Sequence, residues 1–261
     1  MAGKLVLSEE KQVWLSGKVV CRPAKPWSNN VQTLLGYLER HGFPAPHPLG
    51  VTGEGQEALE RVSCLEGEQV PPSIWKDDAL HEIGAMAAKL HRLTAHFAVP
   101  EPGNWQPWCL RELGREPGER PRVLCHGDFA PWNVLTKNGM PAALIDWELA
   151  GPLDPLVELA RICWLFPQLF DDDLQEKYGL PSPEERARQV RIICDGYGLP
   201  RIHRSTLVQQ MLQVVICETA HEAIDRQITE HSVGPLWGVA WRNRSLYWML
   251  RHRVVLERAL Q

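Results

Sequence analysis

"VLCHGDFAPWNVLTKNGMPAALIDWELA", Val123 to Ala150, holds two apolar, β-compatible runs, "NVLT" and "AALID", on either side of "KNGMP". Asn-Gly between such runs is a strong hairpin signal. Pairing Thr136 with Ala143 sets Asn133 opposite Asp146, which makes an amide and a carboxylate cross-strand neighbours at the open end of the hairpin. Two hard oxygen donors suit Mg²⁺, which keeps water and completes its octahedron with substrate phosphate oxygens, whereas zinc calls for His or Cys. Asp128 follows the apolar run "RVLC" and is expected to face the same site as a general base that orients an acceptor hydroxyl and takes its proton. His126, two residues ahead, is read as a loop-holding hydrogen-bond partner. Taken singly, Asp128 reads as a turn cap, Asn133 as a strand end and Asp146 as part of a surface loop. On one hairpin, the three together point to a site.

Outward from the hairpin, the 261-residue chain has 23% charged residues and a formal charge of −4, so no global field draws in nucleic acid or an anionic membrane. "MAGKLVLSEEKQ" lacks the apolar centre of a signal peptide, and no later run has the uninterrupted apolar length to cross a bilayer, so the expected location is cytoplasmic. Seven dispersed cysteines without a Cys-x-x-Cys pair argue for reduced, packed thiols.

The first part of the chain reads as a small sheet with one helix. Val13 and Leu15, a Ser16-Gly17 turn, then Val19 and Cys21 predict a hairpin. Ser28 is placed to cap a helix that carries Val31, Leu34, Leu35 and Leu38 on one face and stops at Gly42. "LGVTGEGQEALERV" predicts two more strands, and Gly53-x-Gly55 is read as their turn. Gly67 to Pro72 is the expected linker. Beyond it the chain reads mainly helical: "DDALHEIGAMAAKLHRLTAHF", a helix opened by Asp154-Pro155, one opened by "SPEE" at Ser182, and two long patterns near 205–230 and 235–260.

"HGDFAPWN" followed by "LIDWELAGPLDPLVELA" resembles the paired signature of the aminoglycoside phosphotransferase family, whose members resemble protein kinases in architecture. "KVVCRPA", "LLGYLERHGFPAPHPLG" and "MAAKLHRLTAHF" extend the similarity across most of the chain. The resemblance implies an α+β, bilobal, protein-kinase-like fold, with a nucleotide-binding lobe over 1–68 and a catalytic and substrate-binding lobe over 69–261. It implies Asp128 as catalytic base, Asn133 and Asp146 as Mg²⁺ ligands, and transfer of the γ-phosphate of ATP or GTP to a hydroxyl of a small acceptor. The expected partner is that acceptor, with no nucleic acid or membrane, and the oligomeric state is left open.

The sequence departs from the kinase-like pattern where the third strand usually carries a lysine on the nucleotide phosphates, paired with a helix glutamate. Here the strand offers Arg22, read as the donor-binding cation, while Val31 or Gln32 stands where the glutamate would be. The first strands also lack a Gly-rich phosphate loop, and Glu158 replaces the more common aspartate of the signature. An acidic stripe, Glu218, Glu222 and Asp225, and the run "FDDDLQEKYG" from Phe170 suggest an amine-bearing acceptor such as an aminoglycoside or aminosugar, against the plain reading of solvated surface. Trp237, Trp241 and Trp248 are read as core packing on the last helix. The alternative to catalysis is a non-catalytic nucleotide- or small-molecule-binding homologue, motivated by the altered Lys/Glu pair. A metal-dependent hydrolase on His126 and Asp128 would need further ligands at metal spacing.

Overall fold

A computed structural model describes residues 4–69, 75–100, 103–113, 122–170, 179–234 and 236–261. Five strands, β1 (Lys4–Ser8), β2 (Val13–Ser16), β3 (Val19–Pro23), β4 (Pro48–Thr52) and β5 (Leu59–Ser63), form an antiparallel sheet in the order β1-β2-β3-β5-β4. The predicted turns close it: Gly17, Gly53 and Gly55 all adopt positive φ. Helix α1 (Ser28–Arg40) buries Val31, Leu34, Leu35 and Leu38 as its spacing predicts, and ends before Gly42 at φ 63°. Ser28 does not cap it. Trp27 holds the cap position, and the Ser28 hydroxyl donates instead to Glu60 at 2.7 Å.

The expected linker is partly strand. Glu68–Gln69 (β6) pairs with Val134–Lys137 (β8), and residues 70–74, which include the rest of that linker, lie outside the described residues. Helix α2 (Asp77–Thr94) follows, then β7 (Val123–Cys125), the hairpin of β8 and β9 (Met140–Leu144), and β10 (Gly151–Leu153), which pairs with β7. Helix α3 (Pro155–Leu165) starts where Asp154 accepts the Leu156 N–H at 2.7 Å. The Ser182 hydroxyl likewise accepts the Glu185 N–H at the head of α4 (Pro183–Tyr197). Gly84 on α2 and Gly196 on α4 let these helices touch backbone to backbone, since a Cβ on either would overlap a carbonyl oxygen of the other.

After the short α5 (Arg201–Arg204), α6 (Leu207–Asp225) matches the predicted span. The last pattern divides at His252 into α7 (Trp237–Arg251) and α8 (Arg253–Leu260). Of its tryptophans, Trp248 is buried and Trp241 stacks on Trp164 at 5.1 Å, but Trp237 is exposed. The fold is thus mixed α+β, a small antiparallel sheet with one helix beside a mainly helical body. Among the described residues, no helix is long and apolar enough to cross a membrane.

Candidate active site

The loop between β7 and β8 is fixed from behind by Glu158 of α3. Its buried carboxylate accepts the N–H groups of Gly127 (2.6 Å) and His126 (3.3 Å) and bonds His91 Nε2 at 2.8 Å. Burial alone would favour the protonated acid. Bonding and charge from His91, with help from His126 and Gly127, outweigh it and hold Glu158 below the usual carboxylate range. Gly127 has φ 82°, and a Cβ there would overlap the Leu149 carbonyl oxygen. His126 is wholly buried: its Nδ1 accepts the Asp128 N–H at 3.2 Å, and its Nε2–H donates to the Ile145 carbonyl at 2.9 Å. That is the bonding of a neutral imidazole, and burial pushes its pKa down accordingly. His126 therefore ties the Asp128 loop to the strand end that carries Asp146.

Both oxygens of Asp128 are oriented. Oδ1 pairs with Arg161 Nη2 at 2.7 Å, and Oδ2 accepts from Asn133 Nδ2 at 2.8 Å and from the Trp132 indole at 3.4 Å. Asn133 Nδ2 also donates to the Asp128 carbonyl at 2.9 Å. With the amide nitrogen so engaged, Oδ1 is the atom of Asn133 that can serve a cation.

The hairpin's turn forms as predicted, with Asn138 and Gly139 at φ 54° and 74°, but its register differs. Thr136 pairs with Pro141, not Ala143. Ala142 is an extra residue on β9, so the register shifts to Leu135 opposite Ala143 and Val134 opposite Leu144. Asn133 therefore faces Ile145, whose N–H donates to the Asn133 carbonyl at 2.9 Å. Asp146 lies one residue beyond, and a left-handed backbone (φ 63°, ψ 66°) turns it back to the cleft that Asn133 lines. Asp is among the residues that tolerate this conformation.

That cleft, about 440 Å³, lies between the five-stranded sheet and β8 with the strand end at Ile145. Val20, Val62, Leu135 and Ile145 supply apolar walls, and Arg22, Asn133 and Asp146 line its polar end. Arg22 is bound two to two by Glu60 of the neighbouring strand, Nε to Oε2 at 3.0 Å and Nη2 to Oε1 at 3.1 Å. Its Nη1 donates to Asp146 Oδ1 at 3.2 Å. Burial disfavours the guanidinium charge, but Glu60 first, then Asp146 and Glu148, hold Arg22 above its ordinary pKa. Of the two α1 residues considered for the helix glutamate's place, Val31 is buried in the core, and the Gln32 amide donates to Glu60 Oε1 at 3.3 Å while its oxygen accepts the Gly50 N–H at 2.7 Å.

Of the four residues expected from sequence, Arg22, Asn133 and Asp146 line one cleft, and Asp128 joins them through its bond to Asn133. Glu60, Lys11, Glu148 and Arg161 were missed: Lys11 pairs with Asp146 and Glu148, and Arg161 with Asp128. Opposed pairing of Arg22 and Glu60 is the one signal that points to Glu60, and it needs strand order that sequence does not supply.

The acidic stripe has another use. Glu218 is buried and bonds Arg161 Nε at 2.5 Å and Arg242 Nε at 3.4 Å, while Glu222 pairs with Arg242 and with Arg226 at 3.2 Å. Residues 171–178 of "FDDDLQEKYG" lie outside the described residues. Among the described residues, His91, Cys125 and Glu158 form one trio close enough to share a metal, but it sits behind the loop, and Glu158 already anchors backbone there.

Known proteins bear on this geometry. The family model described as "Phosphotransferase enzyme family" matches residues 113–190, which include the loop, the hairpin and α3. The "Trifolitoxin immunity protein" of Rhizobium leguminosarum bv. trifolii is 44% identical over 247 residues, covering 94% of this chain and 93% of that one. An "Aminoglycoside 3'-phosphotransferase" of Escherichia coli is 26% identical over 139 residues, 44% of this chain and 51% of that one. Among solved structures, the amicoumacin kinase hAmiN in complex with AMP-PNP, Ca²⁺ and Ami superposes with a TM-score of 0.69 at 11% identity, over 98% of this chain and 88% of that one. The chain belongs to the phosphotransferase enzyme family and shares the kinase-like fold of its members. It is a phosphotransferase of the small-molecule kinase type.

Proposed function

We propose that the chain moves the γ-phosphoryl group of ATP or GTP to a hydroxyl of a small acceptor, with residues 1–68 as the nucleotide-binding lobe and 69–261 as the catalytic and acceptor-binding lobe. The observation that carries this is that Asn133 and Asp146 line one cleft while Asp128 is hydrogen-bonded to Asn133 at 2.8 Å. The donor set fits a hard divalent cation: Asp146 already gathers the two cationic side chains Arg22 and Lys11, and Asn133 offers an amide oxygen. Asn133 and Asp146 would hold Mg²⁺, which when bound would supply positive charge to the donor phosphates. Arg22, aligned by Glu60, directs Nη1 to the same end. Asp128 accepts the proton of the attacking hydroxyl as the new O–P bond forms and the bond to the nucleoside diphosphate breaks.

The amine-bearing acceptor, such as an aminoglycoside or aminosugar, stays within this proposal, but the stripe meant to hold it is largely neutralised by Arg161, Arg226 and Arg242. Of the two motives for the non-catalytic alternative, Glu60 answers the missing helix glutamate, and arginine in place of lysine stands. The test is incubation with ATP and with GTP against aminoglycosides, amino alcohols, nucleosides and trifolitoxin. Mass-spectrometric detection of a phosphorylated acceptor, abolished by Asp128→Asn, is the expected result. Donor binding with no product from any acceptor favours the binding-only reading.

A further inference from the structure

The turn between β1 and β2, "EEKQ" over 9–12, has no glycine, and so cannot wrap phosphate with backbone N–H groups as a Gly-rich loop does. What it brings to the cleft is a side chain. Lys11 lines the same cavity as Arg22, Asn133 and Asp146; its Nζ lies 3.5 Å from Asp146 Oδ2 and bonds Glu148 Oε1. The two cations differ in freedom. Arg22 has two of its three nitrogens on Glu60, and its side chain is 17% exposed. Lys11 is 49% exposed and holds only carboxylates at the mouth of the site. An ammonium on a four-carbon stem can follow a phosphate oxygen, whereas a guanidinium fixed by a bidentate partner cannot.

We propose that Lys11 contacts the terminal phosphates of the donor, so that the β1–β2 turn supplies the point charge that β3 has lost to Arg22, and that Glu148 is the positioning residue that keeps Lys11 in place. This rests on the reading of the cleft as the donor site. Charge at this end supports it. Glu60, Asp146 and Glu148 face Arg22 and Lys11, and with Asp146 engaged by a divalent cation Glu148 would still hold Lys11.

The experiment is calorimetric titration of the full chain with ATP and GTP, each with Mg²⁺, and with adenosine and guanosine, for the wild type, Lys11→Met, Lys11→Arg and Glu148→Gln. Thermal melts show each variant folded. Lys11→Met should weaken triphosphate binding about tenfold to a hundredfold, as loss of one charge-assisted contact does, and leave nucleoside binding unchanged. Lys11→Arg should recover most of the loss, and Glu148→Gln should weaken binding by a smaller factor. If the wild type binds the triphosphate and Lys11→Met binds it equally well or more tightly, Lys11 is only a surface ion pair and this proposal fails alone. If the wild type binds neither triphosphate, the donor-site reading fails and takes this one with it.

Discussion

Arg22 and Glu60 face each other across β3 and β5 and are joined by two parallel hydrogen bonds of 3.0 and 3.1 Å. The pair replaces a strand-to-helix ion pair with a strand-to-strand one, and α1 takes part only through Ser28 and Gln32, which both donate to the buried Glu60 carboxylate. Planarity makes the geometry specific to arginine. Arg22→Lys keeps the charge but loses the fork, and should cost about 1–3 kcal/mol. For a chain of this size that is a fall of roughly 2–4 °C in Tm per kcal/mol. Donor KM should rise with it. Glu60→Ala should cost more, about 3–5 kcal/mol, because it leaves a mostly buried guanidinium without its main partner. Melts and donor titrations of both variants check the order.

Asp128→Asn tests the base. The amide introduced there would remain within reach of Arg161 and Asn133, and the cleft walls lie elsewhere, so nucleotide affinity should stay within a few-fold of wild type. Turnover should fall by about 10² to 10⁴, the range for removing a general base. A variant that keeps full turnover removes Asp128 from that role.

The hairpin was legible because Asn-Gly is a local signal, and the helix faces because their spacing is local too. What escaped depends on partners far along the chain. The extra residue at Ala142 moved the register by one, and a one-residue slip sends Asp146 to the wrong face unless its own backbone turns left-handed, which it does. Glu60 looked like one polar residue of a strand until sheet order set it beside Arg22. Lys11 sits in a turn with no motif to mark it. Ser28 reads as a cap by residue type, yet a buried carboxylate attracts its hydroxyl more strongly than a helix end. The stripe of Glu218 and Glu222 was correctly phased, but periodicity cannot say that arginines from α3 and α7 meet it.

That stripe gives a discriminating measurement. Arg161 is buried between Asp128 at 2.7 Å and Glu218 at 2.5 Å, so it couples the loop to α6. If Glu218 is structural, Glu218→Gln should lower stability by about 1–3 kcal/mol, the cost of weakening a bond to a buried charge, with little change in acceptor KM at a temperature where the variant is folded. If it binds acceptor amines, acceptor KM should rise with Tm nearly unchanged. The first outcome is expected, because both Glu218 oxygens already face arginines.

Acidification should destabilise the protein in two steps. His126 is buried neutral, with a pKa pushed below its ordinary value of 6.5. As pH falls through 6.5 the unfolded chain takes up a proton that the folded chain refuses, so stability declines from there until the lowered folded value is passed. Glu158 is also depressed, from an ordinary 4.5, by His91 and the loop N–H groups. Its contribution is intact above 4.5 and is lost as pH falls from 4.5 through the folded value, because protonation then favours the unfolded chain. Each unit of depression corresponds to roughly 1.4 kcal/mol. Urea midpoints from about pH 8 to about pH 2 should therefore fall in two stages for the wild type. His126→Gln should flatten the upper stage, and Glu158→Gln should flatten the lower while lowering stability throughout the neutral range, since the Gly127 and His126 N–H groups lose a charged acceptor. A wild-type midpoint that holds steady between pH 6.5 and 4.5 contradicts a neutral, buried His126.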